Sequence, residues 1–357
     1  MRPSAWVLSR SPVALLHTIP LSAGHLGRQT WVYDPQAGTA AERKAVEAAR
    51  QAFEGQQSSG DTHHSSDLLL RLQAQREGRR AGRPEAKAPK LPASVQEGSE
   101  RVPRETLTGA LNAGLSFYST LQAPDGHWPG DYGGPMFLMP GLLIALHVTG
   151  AMDSVLSREH KAELVRYLCN HANEDGGYGL HIEGHSTMFG TVLSYVSLRL
   201  LGVAAGQATA KAARAWILGH GGATAVPSWG KFWLAVLGVY EWHGLNPMPP
   251  EMWLLPYALP VHPGRMWCHC RMVYLPMCYV YGIRGTGPSS PLTEALKSEL
   301  YCESGYEAIN WDAARSACAK EDLYYPHPLI QDAIWWTLSR AEPLLLGSRL
   351  RKCVCAL

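Results

Sequence analysis

The sequence predicts an all-α fold on three observations. From Thr106 onward apolar residues recur at helical spacing, as in Leu111, Leu115, Tyr118 and Leu121, then Leu142, Leu146, Val165, Leu168, Leu193, Val196 and Leu200. Runs of alternating β-branched residues are scarce. A helix-and-turn unit also occurs twice: Phe117-Tyr-Ser-Thr-Leu-Gln122-Ala-Pro-Asp125-Gly126-His-Trp128 is echoed by Arg166-Tyr-Leu-Cys-Asn-His-Ala-Asn-Glu-Asp175-Gly176-Gly-Tyr178-Gly179. In each, a helix end meets an Asp-Gly turn and an aromatic ring that closes the loop onto its neighbour helix. Units of this kind stack into solenoids or closed helical rings.

Taken in order, residues 1–26 read as a poorly ordered N-terminus. Residues 1–33 carry Arg2, Arg10 and Arg28 with several serines and no acid, a composition that mimics a transit peptide, but no amphipathic stripe or cleavage site follows. Residues 27–76 read as a helical arm. Thr39 caps a helix from Ala40 to Phe53, with Glu42 at capping-box spacing, and a second helix starts within His64 to Gln73 with Ser66 or Asp67 as its cap. Residues 77–104 turn rich in Arg, Gly, Pro and Ala and lose periodicity, the mark of a linker or insertion. Residues 105–351 form the main helical domain. Its longest apolar run, Pro135 to Val148, is too short to span a bilayer and is broken by Pro140 and Gly141, so it reads as a core helix. Residues 352–357 are a short tail.

Composition narrows the function. Apolar residues make up 46% and charged residues 17%, a balance that suits heavy burial or contact with a membrane face. A net charge of +2 gives no ground for nucleic-acid binding. The one basic cluster, Arg76 to Lys90, lies among Gly, Pro and Ala without aromatics and reads as solvated linker. Eight scattered cysteines in a chain of this length read as reduced thiols. Aromatics are densest between Pro227 and Met277, where Trp229, Trp233, Tyr240, Trp242, Trp253, Tyr257, Trp267 and Tyr274 gather. Electron-rich ring faces attract cations most strongly where water is excluded, so this stretch predicts a greasy cavity that handles positive charge.

Several long motifs carry a resemblance. Gln122 to Trp128 is similar to the QW motif of triterpene cyclases. Gly130-Asp-Tyr-Gly-Gly-Pro-Met-Phe-Leu-Met-Pro-Gly141, Gly179 to Thr191, Pro227-Ser-Trp-Gly-Lys-Phe-Trp-Leu234, Pro250 to Pro256, Trp267-Cys-His-Cys-Arg-Met-Val-Tyr-Leu-Pro276 and Ala319 to Pro328 resemble oxidosqualene cyclases, most closely the sterol-forming, cycloartenol-type branch. The resemblance runs from Gly27 to Arg351, the linker excluded. It implies an α/α toroid, the double α-barrel with QW-type repeats, represented here by its N-terminal half. It further implies cyclisation of 2,3-oxidosqualene through carbocations, at the cytosolic face of the endoplasmic reticulum membrane or a lipid droplet, with monotopic attachment to the membrane surface, no cofactor and no metal. Residue by residue, Tyr132, Trp229, Trp267 and His269 match pocket positions, and Cys270 and Tyr274 match positions that narrow the substrate channel. The family's proton donor sits in an Asp-Cys-Thr-Ala-Glu motif, whereas no aspartate here is followed by Cys. No catalytic residue is therefore assigned in this chain, which by itself is expected to be inactive.

Other readings stand beside these. Tyr132 serves equally as a turn tyrosine that caps a helix, and Asp131 reads as a hydrogen-bond acceptor rather than an acid. Cys268-His269-Cys270 has the residue types of a zinc site, but adjacent residues rarely turn towards one ion and no second ligand pair exists. His181, Glu183, His185 and Thr187 alternate as a metal or acid/base strand would, and read better as a loop between helices. Arg271 is expected to form an ion pair, and Lys320 to Asp322 a solvated turn. The alternative to a cyclase is a non-catalytic helical module that binds lipid or a partner. On either reading, helices that lack their complement expose an apolar patch.

Overall fold

Small polar side chains open many of the helices. Ser157, Thr187, Gln207, Ser290, Asn310 and Ser348 each accept the backbone N–H three residues on, which satisfies a donor that the first turn leaves free. The computed structural model describes residues 5–11, 28–34, 39–57, 101–122, 134–260, 262–302, 305–324 and 328–356. The class is all-α, and contacts divide the chain into two units, Met1–Gly134 and Pro135–Leu357.

The first unit departs from the sequence expectation at its start. Ala5–Ser11 (β1) pairs antiparallel with Arg28–Asp34 (β2), in the register Ala5↔Asp34 to Ser11↔Arg28. A hairpin thus stands where a poorly ordered start was expected, and it takes in the first residues of the arm, which is helical from Ala40. The residue types favour it, since Trp-Val-Leu and Thr-Trp-Val-Tyr prefer extended backbone. Ala40–Gln57 (α1) begins where Thr39 was placed, with the Arg43 N–H on the Thr39 carbonyl at 3.1 Å, and runs past Phe53. The helix expected from His64 to Gln73 lies outside the described residues. Arg104–Leu121 (α2) follows Pro103 and exposes Leu107, Leu111, Leu115 and Tyr118 by more than half. This helix groups with the first unit rather than with the 105–351 domain drawn from sequence.

The second unit is built around one helix. Leu138–Val148 (α3), Met152–Val155 (α4) and Arg158–Asn170 (α5) lead to Met188–Leu200 (α6), in which every residue but Arg199 is buried. A helix apolar or small on every face has to sit inside. Ala208–Gly219 (α7), Ser228–Leu237 (α8) and Pro291–Glu299 (α11) pack on it together with α3 and α5. Between α8 and α11 come Pro263–Met266 (α9) and Leu275–Ile283 (α10). Gly141 permits α3 to meet α8, because a Cβ there would lie 2.9 Å from Trp233 Cζ2. Glu299 ties α11 to α6, accepting from Arg199 at 2.9 and 3.0 Å and from Tyr195 Oη at 2.8 Å.

Two sequence readings are corrected near the C-terminus. Lys320–Asp322 is a 3-10 turn, but Asp322 is buried, and its carboxylate accepts the Met188 and Phe189 N–H groups at 2.7 and 3.2 Å. It caps α6 from a distant part of the chain. After Trp311–Ala314 (α12), Pro328 opens a helix, Leu329–Leu345 (α13), which exposes Leu329, Ile330, Ile334, Trp336 and Leu344. Arg349–Val354 (α14) then continues through the boundary placed after Arg351.

The second repeat turn shows how α5 reaches α7. Gly176 takes φ +86°, and Asp175 accepts from Gly177 N–H at 3.0 Å, Ser186 Oγ at 2.6 Å and Trp216 Nε1 of α7 at 2.9 Å. Partial burial pushes the Asp175 carboxyl up, but these hydrogen bonds outweigh it and hold the group below its ordinary 3.8. A carboxylate held low by folding contributes stability that is present above the ordinary value and lost as pH falls through the folded one. Asp175→Asn is therefore expected to lower Tm by roughly 2–4 °C at neutral pH. The difference should close as pH is taken below 3.8, followed by circular dichroism. A gap that ignores pH would assign the bonds to shape rather than charge.

Candidate functional site

The aromatic stretch folds around an irregular turn. His262 Nδ1 accepts the Gly264 N–H at 3.0 Å and starts α9, after which Trp267 is extended at φ −160°. Cys270–Tyr274 then forms a π-helical turn, in which the Leu275 N–H reaches the Cys270 carbonyl. Pro276 explains the widening: it has no N–H for the carbonyl four residues back, and its ring would crowd that carbonyl in a regular α turn.

This wider turn sorts its side chains. Cys270 points inward at 6% exposure, Tyr274 is half-buried, and Met272 faces out at 76%. The Tyr274 ring meets Trp229, from the first turn of α8, edge to face at 5.9 Å and 88°. It also lies 6.4 Å from Trp267, whose ring meets His269 at 4.8 Å and 73°. Four of the residues named from sequence thus converge, Trp229, Trp267, His269 and Tyr274, with Cys270 buried on the same turn. Tyr132 and Asp131 lie outside the described residues. Trp229 at 38% and Trp267 at 53% exposure make the cluster an open wall, not a closed cavity.

The other aromatics of the stretch serve different ends. Tyr240 packs against Trp311 at 4.6 Å, and Trp242 bridges Phe232 at 5.7 Å and Tyr281 at 5.9 Å in the core. Trp253 and Tyr257 flank His262 at 5.9 and 5.2 Å. Arg271 forms no ion pair among the described residues; its guanidinium lies 5.1 Å from the Tyr257 ring centroid. Density in sequence therefore overstates the size of the wall, because five of the eight rings, Trp233 against Phe232 included, are core or surface packing.

Lys231 is a residue that sequence reasoning passed over. It sits two positions after Trp229 on α8, buried, with Nζ donating to the carbonyls of Ala314 at 2.6 Å, Arg315 at 3.0 Å and Ala317 at 2.8 Å. Burial pushes its pKa down to about 8. The ammonium stays largely charged at neutral pH and matches its three donors to three acceptors. Burial pushes the Cys278 thiol, on α10, up to about 11, so it is an inert core group.

No metal arrangement emerges at the motifs that suggested one. Cys268 is exposed while Cys270 is buried, so the two diverge. His181 and Thr187 belong to bridges with Pro135 and Tyr178, and Thr187 caps α6, so this segment is the loop that its spacing also allowed. Among the described residues no three His, Cys, Asp or Glu side chains come together. An open depression of about 880 Å³ lies elsewhere, between Ala172–Gly176 and the Trp216–His220 stack, and none of the pocket or channel residues named from sequence lines it. The aromatic wall, where four residues named from sequence meet, is the stronger candidate.

Comparison with known proteins identifies the family. Residues 112–337 match the family model of the squalene-hopene cyclase N-terminal domain. The chain is 48% identical to alpha-onocerin synthase LCD of Lycopodium clavatum over 327 residues, covering 90% of this chain and 41% of that protein. It is 51% identical to cycloartenol synthase of Dictyostelium discoideum over 69% of this chain and 35% of the relative. Lanosterol synthase of Homo sapiens is 51% identical over 66% of this chain and 31% of the relative. The chain spans well under half the length of each.

Proposed function

Because the chain belongs to the oxidosqualene cyclase family, on its match to the squalene-hopene cyclase N-terminal domain, we propose that it supplies the N-terminal wall of an oxidosqualene-cyclising site. The observation that carries the reading is the convergence of Trp229, Trp267, His269 and Tyr274 on one turn. A carbocation is quenched by any lone pair it meets, whereas an indole or phenol face offers charge density without a bond to form. Each such face stabilises a cation by about 0.5–2 kcal/mol, more as water is excluded. His269, held edge-on to Trp267, fixes that ring. Cys270 and Tyr274 narrow the way in.

In this reading the cascade begins when an aspartic acid in an Asp-Cys-Thr-Ala-Glu segment protonates the epoxide of 2,3-oxidosqualene, and ends in proton loss to cycloartenol or another triterpene. The acid belongs to a part of the enzyme beyond these residues, since no aspartate in the chain precedes Cys. The two halves complete the α/α toroid. The three relatives are named for onocerin, cycloartenol and lanosterol at 48%, 51% and 51% identity, so this half does not separate the products. No described helix is long and apolar enough to cross a membrane. Attachment to one leaflet of the endoplasmic reticulum or to a lipid droplet is proposed from the exposed Leu254, Leu255, Met266 and Met272. The exposed Leu329, Ile330, Ile334, Trp336 and Leu344 of α13 suit the second reading, a non-catalytic lipid- or partner-binding module.

Expression in yeast lacking its own sterol cyclase separates the two. The 357-residue chain alone is expected to give no cyclised product, and co-expression with the Asp-Cys-Thr-Ala-Glu portion of a cycloartenol synthase to restore one, read by gas chromatography. Product from the chain alone would overturn the division of labour. Two stable halves without product would favour the non-catalytic module.

A further inference from the structure

Between Glu251 and Glu294 the sequence holds no Asp, Glu, Asn or Gln, yet three arginines fall there. Arg284 is taken by Glu342 at 2.7 Å. Arg265 and Arg271 are exposed, and among the described residues neither has a carboxylate partner. Both gather on a single ring, with guanidinium carbons 5.6 and 5.1 Å from the Tyr257 centroid. Arg265 is held further by the Tyr257 and Ala258 carbonyls at 3.3 and 3.1 Å, and the His262 ring fixes Tyr257 at 5.2 Å. Two like charges kept beside one ring repel each other, and an anion lying between them relieves that repulsion.

The surroundings decide which anion. Leu254, Leu255, Leu259, Met266 and Met272 are each at least 40% exposed around this pair. The segment offers two cations with no carboxylate or amide to balance them, which fits an extended anionic surface better than a protein rim of mixed charge. Apolar side chains that enter acyl chains, with guanidinium groups at headgroup depth, fit a lipid surface instead.

We propose that Arg265 and Arg271, stacked on Tyr257, clamp the phosphate of anionic phospholipids and seat this apolar face on negatively charged bilayers. The guanidinium fork matches phosphate oxygens in pairs. This rests on the membrane attachment proposed above and adds a choice among membranes.

Flotation of the purified 357-residue chain with vesicles tests both, using phosphatidylcholine alone and phosphatidylcholine mixed with phosphatidylserine. Partitioning onto the mixed vesicles is expected to exceed the neutral ones by about thirty-fold, from the usual worth of two basic residues at an anionic surface. Arg265→Gln with Arg271→Gln removes that excess and leaves neutral binding in place. Each single variant loses about five-fold, which decides the matter if the double variant does not fold. Equal partitioning of the wild-type chain overturns the clamp but keeps membrane attachment. An excess that survives the substitutions also overturns the clamp, and failure to bind either vesicle overturns clamp and attachment together.

Discussion

Arg351→Met is expected to destabilise the chain by about 3–5 kcal/mol, a fall in Tm of roughly 10 °C. Arg351 is 3% exposed and donates Nε to Glu251 at 2.5 Å and both Nη groups to Glu342 at 3.1 Å. Glu342 in turn accepts from Arg284 at 2.7 Å, and the Arg284 guanidinium lies 3.9 Å from the Tyr281 ring centroid. One charge therefore joins α14, α13, α10 and the Pro250–Leu254 turn. Glu251 Oε2 is already buried with no partner among the described residues, so losing the arginine strands a second acid as well. Calorimetry of the single variant beside Arg351→Met with Glu251→Met checks the mechanism, because the double variant removes the acid left stranded while Glu342 keeps Arg284, and should recover part of the loss. A single-variant cost under about 1 kcal/mol would mean that the network is solvated.

The second large effect is expected at Lys231→Met, about 3 kcal/mol in denaturant titration. A thioether fits the volume but leaves the Ala314, Arg315 and Ala317 carbonyls without the donor that now serves all three. The consequence reaches the site, because Lys231 pins the turn of α8 that presents Trp229 to Tyr274. Trp229 is accordingly expected to become more exposed to acrylamide quenching in the variant. Unchanged stability would show that water replaces the ammonium at those carbonyls.

What the sequence made legible follows the range of the interactions involved. The start of α1 at Thr39, the core helix within Pro135 to Val148 and the Asp175-Gly176 turn are set by neighbours within a few residues, and each was readable. The convergence of Trp229 with Trp267 and Tyr274 was reachable through family likeness alone, since spacing does not bring α8 to the π turn. Asp322 escaped because a charged triplet before prolines looks solvated until α6 arrives on top of it. The β1–β2 hairpin escaped for the same reason: Ala5–Ser11 is unremarkable without its partner strand. Arg351 stood at the edge of the family likeness, yet its contacts make it a keystone of the C-terminal helices.

The π turn sets a phase. One residue more than an α-helix requires lies between the Trp267–His269 segment and α10. That extra residue offsets the angular position of everything upstream by about 100°, the step of one residue in a helix of 3.6 per turn. Deleting any one residue from Cys270 to Val273 together with Pro276→Ala, which restores the missing N–H, would let the turn close to regular geometry and would swing Trp267 and His269 away from Tyr274. Length at this point is thus as much a determinant of the wall as the identity of its rings.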